Sequence, residues 1–300
     1  MILNNRVVLI DYMNVVHASF NIAKRIILQE KQQKGEEPLF LENNIPFFYN
    51  VFFNKINKIF YTYGRAIVCE EGYNSLEWRR SIFPDYKRNR DKQKIEDDYI
   101  LFKNSLANLD EVMSYFPTKI LKVDEAEADD IIYVLSEKYS NLGKEVIVVS
   151  SDNDLSQIMN NFSNVKIYNH IKNEYMKPKK NILLEKAIIG DRSDNIPGLQ
   201  RIGEKTLEKM MNDKNFFKEK MKDGNKEIVE TFLKIIDLRN IPTTVKQKIL
   251  DKDEKTRYNT FDNNEIEAFL FNNRMLEMLE NWSNVYNKIY TVLKENDDEN

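Results

Sequence analysis

The fold is decided by the stretch EVIVVSSDND, residues 145–154. Its first half, Glu145–Val149, is a mostly apolar, β-branched run that predicts a buried strand, and Asp152 and Asp154 follow it after two serines. A similar run at residues 6–10 ends in Asp11. Strands of a parallel sheet are buried on both faces, and such a sheet binds its ligands beyond the carboxyl ends of the strands. The two runs therefore predict a parallel sheet with acidic residues at its ligand-binding edge.

Strand and helix signals alternate along the chain as far as about residue 180. We predict further strands at residues 66–69, 119–123 and 165–168, helices at 43–63, 99–115 and 129–139, and a loop at 29–37. Beyond that point only helices are predicted, at residues 179–189, 206–211, 226–238, 243–250 and 266–293. Alternation of this kind favours an α/β fold with a mostly parallel central sheet flanked by helices. We expect an α/β core over residues 1–180, a helical region over 181–293, and a disordered acidic tail over 294–300.

The composition restricts the classes of protein to which the chain can belong. An apolar fraction of 42% in 300 residues supplies a large core, and 31% charged residues supply a polar surface. The sequence contains no run as long as a membrane span and no leader segment, so we expect a cytoplasmic protein without a membrane partner. If the protein is viral, we expect it in the host cytoplasm. We also expect it to be a monomer. One cysteine, Cys69, and two histidines argue against internal disulfides and a zinc site.

Acidic residues cluster where the predicted elements begin or end. Carboxylates that converge repel one another unless a cation neutralises them, and sites built only of oxygen ligands select Mg²⁺ or Mn²⁺. An isolated Asp pair is usually a solvated turn, and Asp129 alone would be read as a helix start. The number and order of the clusters favour metal binding instead. The candidate metal ligands are Asp11, Glu71, Glu127, Asp129, Asp130, Asp152, Asp154, Asp191 and Asp194.

Charge is distributed unevenly along the chain. The net charge is −3, but it becomes +6 when the nine candidate ligands are left out. Residues 79–94 contain seven Lys or Arg and two Asp, a local net charge of +5. Such a segment is suited to phosphate backbone, although taken alone it would be read as a solvated helix.

A second candidate for phosphate binding is the stretch GDRSDNIPGLQRIGEKT, residues 190–206. Its Pro-Gly turn and Ile-Gly step precede a predicted helix, so exposed backbone N–H groups could hold a phosphate without reading base sequence. The competing interpretation is a plain helix–turn–helix corner. The candidate nucleic-acid contacts here are Gly198, Arg201, Gly203, Lys205 and Thr206.

These motifs resemble the 5′-nuclease (flap endonuclease) superfamily, most closely its T-even phage ribonuclease H branch. The family's acid after the first strand is matched by Asp11, and its Glu-Ala-Asp-Asp motif by residues 127–130. Its Ser-x-Asp-Gly-Asp motif is matched by residues 150–154, and its Gly-Asp-x-x-Asp-Asn motif by residues 190–195. Four motifs in this order are highly specific, and the resemblance extends from Asp11 to about Met211.

The resemblance implies a PIN-like nuclease core, a helical arch at about residues 79–100, and a helix-hairpin-helix DNA-binding motif at about residues 190–211. It implies two Mg²⁺ ions, for which Mn²⁺ substitutes. One ion would be served by Asp11, Glu127 and Asp129. The other would be served or oriented by Asp130, Asp152, Asp154, Asp191 and Asp194. Lys87 and Arg90 would meet the scissile phosphate, and the other nucleic-acid contacts in the arch would be Arg79, Arg80, Tyr86 and Arg88, with Tyr86 stacking on a base.

Two positions depart from the family pattern. Glu71, or alternatively Glu70, stands where the family has an Asp after the second strand. Arg201 replaces the first Gly of the hairpin's Gly-Ile-Gly, which puts in doubt the K⁺ ion that this loop often holds.

The activity implied by the resemblance is that of a divalent-metal-dependent 5′→3′ exonuclease and flap endonuclease. It would hydrolyse RNA–DNA hybrids and branched DNA and remove RNA primers during lagging-strand replication. Its partners would be nucleic acid with a 5′ flap or single-stranded end, and replisome proteins such as a single-strand-binding protein. Two alternatives stay open: a PIN-type ribonuclease, which would lack the arch and the hairpin, and a catalytically impaired binder of branched DNA, which would have lost ligands.

Overall fold

The computed structural model describes residues 5–34, 44–92 and 97–298. A six-stranded sheet lies at its centre, with the strand order β3-β2-β1-β4-β5-β6. The first five strands pair in parallel, and β6 pairs antiparallel to β5 at one edge. The predicted mostly parallel sheet is therefore confirmed. The strands are β1 Arg6–Asp11, β2 Ala66–Glu71, β3 Thr118–Val123, β4 Glu145–Val149, β5 Val165–Asn169 and β6 Glu174–Tyr175.

The strand order places the chain's acidic segments together. Strand β1 lies between β2 and β4, with Asp11 paired to Cys69 and Ile10 paired to Val149. The order of the strands reverses at β1, and a crevice forms at the carboxyl edge of an open sheet where this happens. Asp11 and the loop that follows Val149 both lie at that crevice.

Helices surround the sheet and make up nearly all of the chain after β6. Within the described residues they are α1 Tyr12–Lys34, α2 Ile45–Tyr63, α3 Glu77–Ile82, α4 Asp97–Met113, α5 Ala128–Asn141, α6 Ser156–Asn161, α7 Ile182–Ile189, α8 Glu204–Asn212, α9 Lys214–Lys220, α10 Asn225–Ile236, α11 Thr243–Lys255, α12 Asn263–Asn272 and α13 Leu276–Asp298. Short 3-10 turns lie at Arg88–Lys92, Asn153–Leu155 and Leu238–Asn240. None of the helices in these described ranges is both long enough and apolar enough to cross a membrane.

Both faces of the sheet are covered, because alternate residues of each buried strand point to opposite sides. Val8 and Ile10 face an aromatic-rich core that includes residues of α1, α2 and α13. Val7 and Leu9 face a second core built with α5 and α11. A third apolar cluster joins α7, α8 and α10, and it includes Tyr86.

Four predictions about secondary structure need correction. Residues 29–34 were predicted as loop but form the last part of α1, whose apolar side is anchored by the buried Ile27. The single helix predicted over residues 266–293 is two helices, because the chain turns at Arg274, which has φ +57°. The tail predicted as disordered is helical up to Asp298, because it continues α13, whose Ile289 and Leu293 are buried in the core. No helix was predicted over α6, α9 or the first part of α1.

The predicted arch, at about residues 79–100, is only partly described. Helix α3 and the turn Arg88–Lys92 form its first part, and α4 begins at Asp97. Residues 93–96 lie outside the described residues, as do residues 299–300 of the predicted tail.

A buried histidine connects the edge of the sheet to the crevice. His170 follows β5, and its Nε2 lies 2.9 Å from Oδ1 of Asn14. That oxygen also accepts hydrogen bonds from the N–H and hydroxyl of Ser151, so Nε2 must carry the hydrogen. Nδ1 of His170 is buried and makes no hydrogen bond among the described residues. Burial, reinforced by the Lys55 ammonium, lowers the pKa of His170 to about 3.

We expect His170→Gln to reduce the sensitivity of the fold to acid. Between pH 7 and pH 5 the unfolded chain takes up a proton at His170 and the folded chain does not, so acid favours unfolding. The loss of stability from this residue amounts to about 2 kcal/mol over that interval. Urea unfolding of the wild type and the variant at pH 7, 6 and 5 measures the difference, because all other titrating groups are common to both. Parallel pH dependences would show that the folded protein accepts the proton on His170.

Candidate active site

The crevice is organised by hydrogen bonds between the end of β1 and the loop after β4. The hydroxyl of Ser150 donates to Asp11 Oδ2 at 2.7 Å and accepts from the N–H of Asp152 at 3.1 Å. The side chain of Asp152 in turn accepts from the N–H of Asp154 at 2.8 Å. These contacts turn the loop so that its acids face those of neighbouring elements. Ser150 was not among the predicted site residues, although it is part of the matched motif.

Asp11, Asp129 and Asp152 interact as one group, which we call the first acid cluster. Burial raises the pKa of Asp11 to about 6, with a further contribution from the negative charge of Asp152. Burial also raises the pKa of Asp129 well above its ordinary value, and the charges of Asp152 and Asp11 add to this effect. Two buried carboxyls with raised pKa values, Asp11 and Asp129, beside the negative charge of Asp152 form a site that a cation would stabilise.

Asp154, Asp191 and Asp194 form the second acid cluster. Each offers a carboxylate oxygen, and the three oxygens lie within 4.8 Å of one another. The loop that carries Asp191 is closed by paired backbone hydrogen bonds with Ile196, both at 2.8 Å. The structure brings these three predicted acids together, and oxygens at this separation can share one metal ion.

Lys186, on α7, lies inside the second acid cluster and was missed by the sequence reasoning. Its Nζ bonds to Asp154 Oδ2 and lies 2.6 Å from Asp191 Oδ2 and 3.2 Å from Asp194 Oδ2. Burial opposes its charge, but the surrounding acids prevail and hold the pKa of Lys186 above its ordinary value. The available signal was a lysine in the largely apolar stretch Ile182–Ile189.

Two predicted site residues, Arg79 and Asp130, bond to each other in the interior. Arg79 is 3% exposed, and its guanidinium donates to both oxygens of Asp130 at 2.9 and 2.6 Å. Asp130 is fully buried and also accepts from the N–H of Glu127 at 3.0 Å, which completes a capping box at the start of α5. Arg79 is therefore not available to a nucleic-acid phosphate, contrary to prediction, and Asp130 orients its neighbours because both of its oxygens are engaged.

Glu127 is held by three side chains at once. Arg79 Nη1 lies 2.8 Å from it, the hydroxyl of Tyr86 donates to it at 3.2 Å, and Lys87 Nζ bonds to its other oxygen. Tyr86 is only 4% exposed, so the prediction that it stacks on a base is wrong for this structure. Its ring instead packs in the apolar cluster that joins α7, α8 and α10.

Lys87 lies between Glu127 and the second acid cluster. Its Nζ is 3.7 Å from Asp194 Oδ1, and its backbone N–H donates to the carbonyl of Asp194 at 3.0 Å. Burial lowers the proton affinity of the amine, but Glu127 and Asp194 outweigh this and raise the pKa of Lys87. The residue has φ +55°, a left-handed conformation that is unfavourable for a side chain other than Gly. Strain of this kind is often found at functional sites.

The other arginines around Lys87, namely Arg80, Arg88 and Arg90, differ in their exposure to solvent. Arg90 is half exposed and reaches Asp194 Oδ1 at 3.5 Å, so it lies at the rim of the second acid cluster. Arg88 is exposed and pairs loosely with Asp85 at 3.8 Å. Arg80 is half-buried and donates to the carbonyl of Tyr86 at 2.9 Å. Arg88 and Arg90 are thus the arginines of this segment that a phosphate could reach.

The structure distinguishes Glu70 from Glu71, the two candidates at the end of β2 for the position where the family has an Asp. Glu70 lies 3.9 Å from Lys122, and burial together with Asp110 raises its pKa to about 7. Glu71 is exposed and, because side chains alternate, points to the opposite face of the sheet. Glu71 is therefore the better match to the family position, although it is not among the three residues of either cluster.

The predicted hairpin lies at the surface, between α7 and α8. Gly198 has φ +67°, and a Cβ there would come within 2.4 Å of the Ile189 backbone, so only Gly fits. Arg201 has φ +59° and is exposed. This explains why the family has Gly at that position. The remaining predicted contacts, Gly203, Lys205 and Thr206, lie at the start of α8, where Gly203 and Lys205 are exposed and Thr206 is half-buried.

Comparison with known proteins identifies the family to which the chain belongs. Residues 6–187 match the family model of the 5′-3′ exonuclease N-terminal, resolvase-like domain. The chain is 27% identical over 212 residues to ribonuclease H of Enterobacteria phage T4, a match covering 63% of this chain and 69% of that protein. It is 34% identical over 156 residues to a 5′-3′ exonuclease of Buchnera aphidicola, covering 47% of this chain and 51% of that protein. The chain thus spans only about half the length of this second relative.

The fold is also shared with solved structures from bacteriophage T5. A T5 5′-exonuclease with bound zinc ions superposes with a TM-score of 0.55 at 20% identity, covering 83% of this chain and 98% of that one. A T5 flap endonuclease variant in complex with DNA and metal ions gives a TM-score of 0.52 at 15% identity, covering 83% of this chain and all of that one (100%). The family match covers more than half of the chain. The chain therefore belongs to the family of the 5′-3′ exonuclease N-terminal, resolvase-like domain.

Proposed function

We propose that this protein is a divalent-metal-dependent 5′→3′ exonuclease and flap endonuclease that removes RNA primers and short flaps during lagging-strand replication. The observation that carries the proposal is the meeting of two acid clusters at the switch point of the sheet, with Lys87 and Arg90 beside them. The phage T4 relative is named ribonuclease H, and a relative in Shewanella pealeana is named flap endonuclease Xni. These names support both an RNA-containing and a branched substrate.

The oxygens of the second acid cluster, which lie within 4.8 Å of one another, fit one hard cation, and the first acid cluster offers ligands of the same chemistry for another. The first acid cluster would hold one ion and the second acid cluster the other, and every side chain in both offers only carboxylate oxygens. This chemistry suits Mg²⁺, with Mn²⁺ as a substitute. When bound, a pair of such ions activates water and stabilises the departing oxyanion. Glu71 is exposed at the end of β2, at the same edge of the sheet as the first acid cluster. It is the remaining candidate for an outer metal ligand.

The chain's own cations would position the phosphate. Lys87 is buried among acids, so its ammonium is fixed in place before substrate arrives. Arg90 is half exposed at the same rim and can meet a phosphate from the solvent side. A fixed cation beside the reacting phosphodiester lowers the barrier because little reorganisation is needed. Arg79 and Asp130 support this arrangement by holding Glu127.

The hairpin would bind duplex downstream of the cut. Gly198 allows the tight turn, and Arg201, Gly203 and Lys205 present cations and backbone to the solvent. Contacts of this kind hold phosphates regardless of base sequence. A PIN-type ribonuclease is disfavoured by the presence of this segment. A catalytically impaired DNA binder is disfavoured because both acid clusters retain their carboxylates.

Asp152→Asn and Asp130→Asn should change stability in opposite directions in EDTA at pH 8. Asp152→Asn keeps an oxygen for the N–H of Asp154 and removes repulsion from the first acid cluster, so stability should rise by about 1 kcal/mol. Asp130→Asn removes one of the two charged partners of the buried Arg79 guanidinium, leaves it with Glu127, and should cost about 3 kcal/mol. Urea unfolding measures both, with the exposed Asp251→Asn as control. If Asp130→Asn lost metal binding without losing stability, Asp130 would be a ligand.

Cleavage of matched substrates tests the proposed activity. In Mg²⁺, a 5′-labelled flap, a nicked duplex and an RNA–DNA hybrid should each yield short products, and EDTA should abolish them. The combined Asp152→Asn and Asp154→Asn change should reduce the rate by at least about 10³-fold, because it removes charge from both metal sites. Full activity in that variant would disprove the metal assignment. Tight flap binding without Mg²⁺-stimulated cleavage by the wild type would support the impaired binder instead.

Arg201→Gly should separate stability from DNA binding. Gly relieves the left-handed strain, so stability should be unchanged or rise by about 0.5 kcal/mol. Loss of one phosphate contact should weaken flap binding and reduce the slope of log affinity against log salt by about 0.9. Arg274→Gly is a matched control, since Arg274 is an exposed arginine with φ +57° between α12 and α13. Equal effects of the two changes on binding would exclude a hairpin contact at Arg201.

A further inference from the structure

Lys186 occupies the position that the proposed function assigns to a metal ion. Its side chain is 13% exposed, and its Nζ contacts an oxygen of all three members of the second acid cluster, with Asp191 at 2.6 Å and Asp194 at 3.2 Å. One ammonium therefore neutralises part of the charge of three carboxylates. These are the same three residues whose oxygens lie within 4.8 Å of one another.

An ammonium and a divalent ion cannot share these oxygens. Mg²⁺ requires oxygens at about 2.0–2.1 Å in near-octahedral geometry, so an ion among the three carboxylates would fall in the space that Nζ occupies. Two cations in contact would also repel strongly, since like charges a few ångströms apart are unfavourable even with protein screening. Metal can enter the second acid cluster only when Lys186 leaves it.

The first acid cluster is arranged differently. Its nearest lysine, Lys87, acts on Asp11 and Asp129 through space, but its Nζ bonds to Glu127. Asp11 accepts a hydrogen bond from the hydroxyl of Ser150 at 2.7 Å, so its recorded partner is a neutral group and not an ammonium. A divalent ion entering there relieves repulsion without displacing an ammonium from the ligand oxygens. The free-energy cost of binding a metal ion is therefore higher for the second acid cluster, where an ammonium must be displaced, than for the first.

We propose that Lys186 is a built-in counter-ion of the second acid cluster, which a divalent ion must displace, so that the two metal sites fill in order. The first acid cluster fills first, and the second binds with an affinity reduced by the competing lysine. This inference rests on the proposed two-metal function. Lys186 stabilises the metal-free protein. It also sets the metal affinity of the second acid cluster, although it is not a metal ligand.

Mn²⁺ titration by electron paramagnetic resonance and calorimetry tests the proposal on the whole chain. The wild type should show a tighter and a weaker class of Mn²⁺ site, and Asp191→Asn should remove the weaker one. Lys186→Met should tighten the weaker class by about tenfold or more, because the competing charge is gone. Lys186→Arg, which keeps the charge, should resemble the wild type. Lys179→Met is the matched control, because Lys179 makes an exposed pair with Glu185 at 2.8 Å just before α7.

Thermal unfolding gives a second readout. In EDTA, Lys186→Met should melt at a lower temperature than the wild type, and saturating Mn²⁺ should raise its melting temperature more than it raises that of the wild type. If Lys186→Met alone does not fold in EDTA, the double variant Lys186→Met with Asp191→Asn, which removes one charge of each sign, should fold. Failure of that double variant to fold would overturn the proposal.

Two results distinguish the inference from the function on which it rests. If Lys186→Met left the weaker Mn²⁺ class unchanged or weakened it, the counter-ion role would be wrong while the metal site would stand. If Asp191→Asn removed no class of Mn²⁺ site, the second metal site itself would be wrong.

Discussion

The structure depends on the repulsion between carboxylates that the sheet brings to one edge. Strand β1 lies between β2 and β4, so the acids that follow these strands converge whatever their sequence separation. Burial raises the energy of each charge, and the neighbouring acids raise it further. Among the described residues, two kinds of cation compensate for these charges: a buried guanidinium at Arg79, and ammonium groups at Lys87 and Lys186.

These compensations differ in permanence, which gives the acids different roles. Arg79 holds Asp130 through two hydrogen bonds in the interior, so this pair is part of the framework of α5. Lys186 holds its acids at the end of a flexible chain that is 13% exposed, and such an ion pair can open. Asp130, which is paired with the buried Arg79, positions the site. The acids paired with Lys186 are free to exchange partners. The nine acids that look equivalent in the sequence are thus divided by the cations they meet.

The sequence predicts the backbone of this site well and its side-chain partners poorly. Asp11 and Asp152 could be placed because each follows an apolar run whose strand is set by local pattern. The destinations of Arg79 and Tyr86 could not be predicted, because a basic and aromatic segment looks the same whether it faces solvent or folds inward. Their burial is decided by α5 and α10, which lie far away in the sequence. The position of Lys186 among the acids could not be predicted for the same reason. The break between α12 and α13 at Arg274 could not be predicted because the sequence carries no local signal for an arginine in the left-handed conformation.

The hydrogen bonds around Asn14 connect two parts of the molecule that differ in exposure. Strand β5 lies next to the edge of the sheet, paired on its outer side with the two-residue β6, and edges of sheets are regions that open locally. His170 follows β5 and shares an acceptor with Ser151, one residue before Asp152. Opening of this edge would therefore release the loop that carries the acids, without unfolding the aromatic core. The edge and the loop form one cooperative unit, so the rate of amide hydrogen exchange in β5 reports on how long the cleft stays assembled.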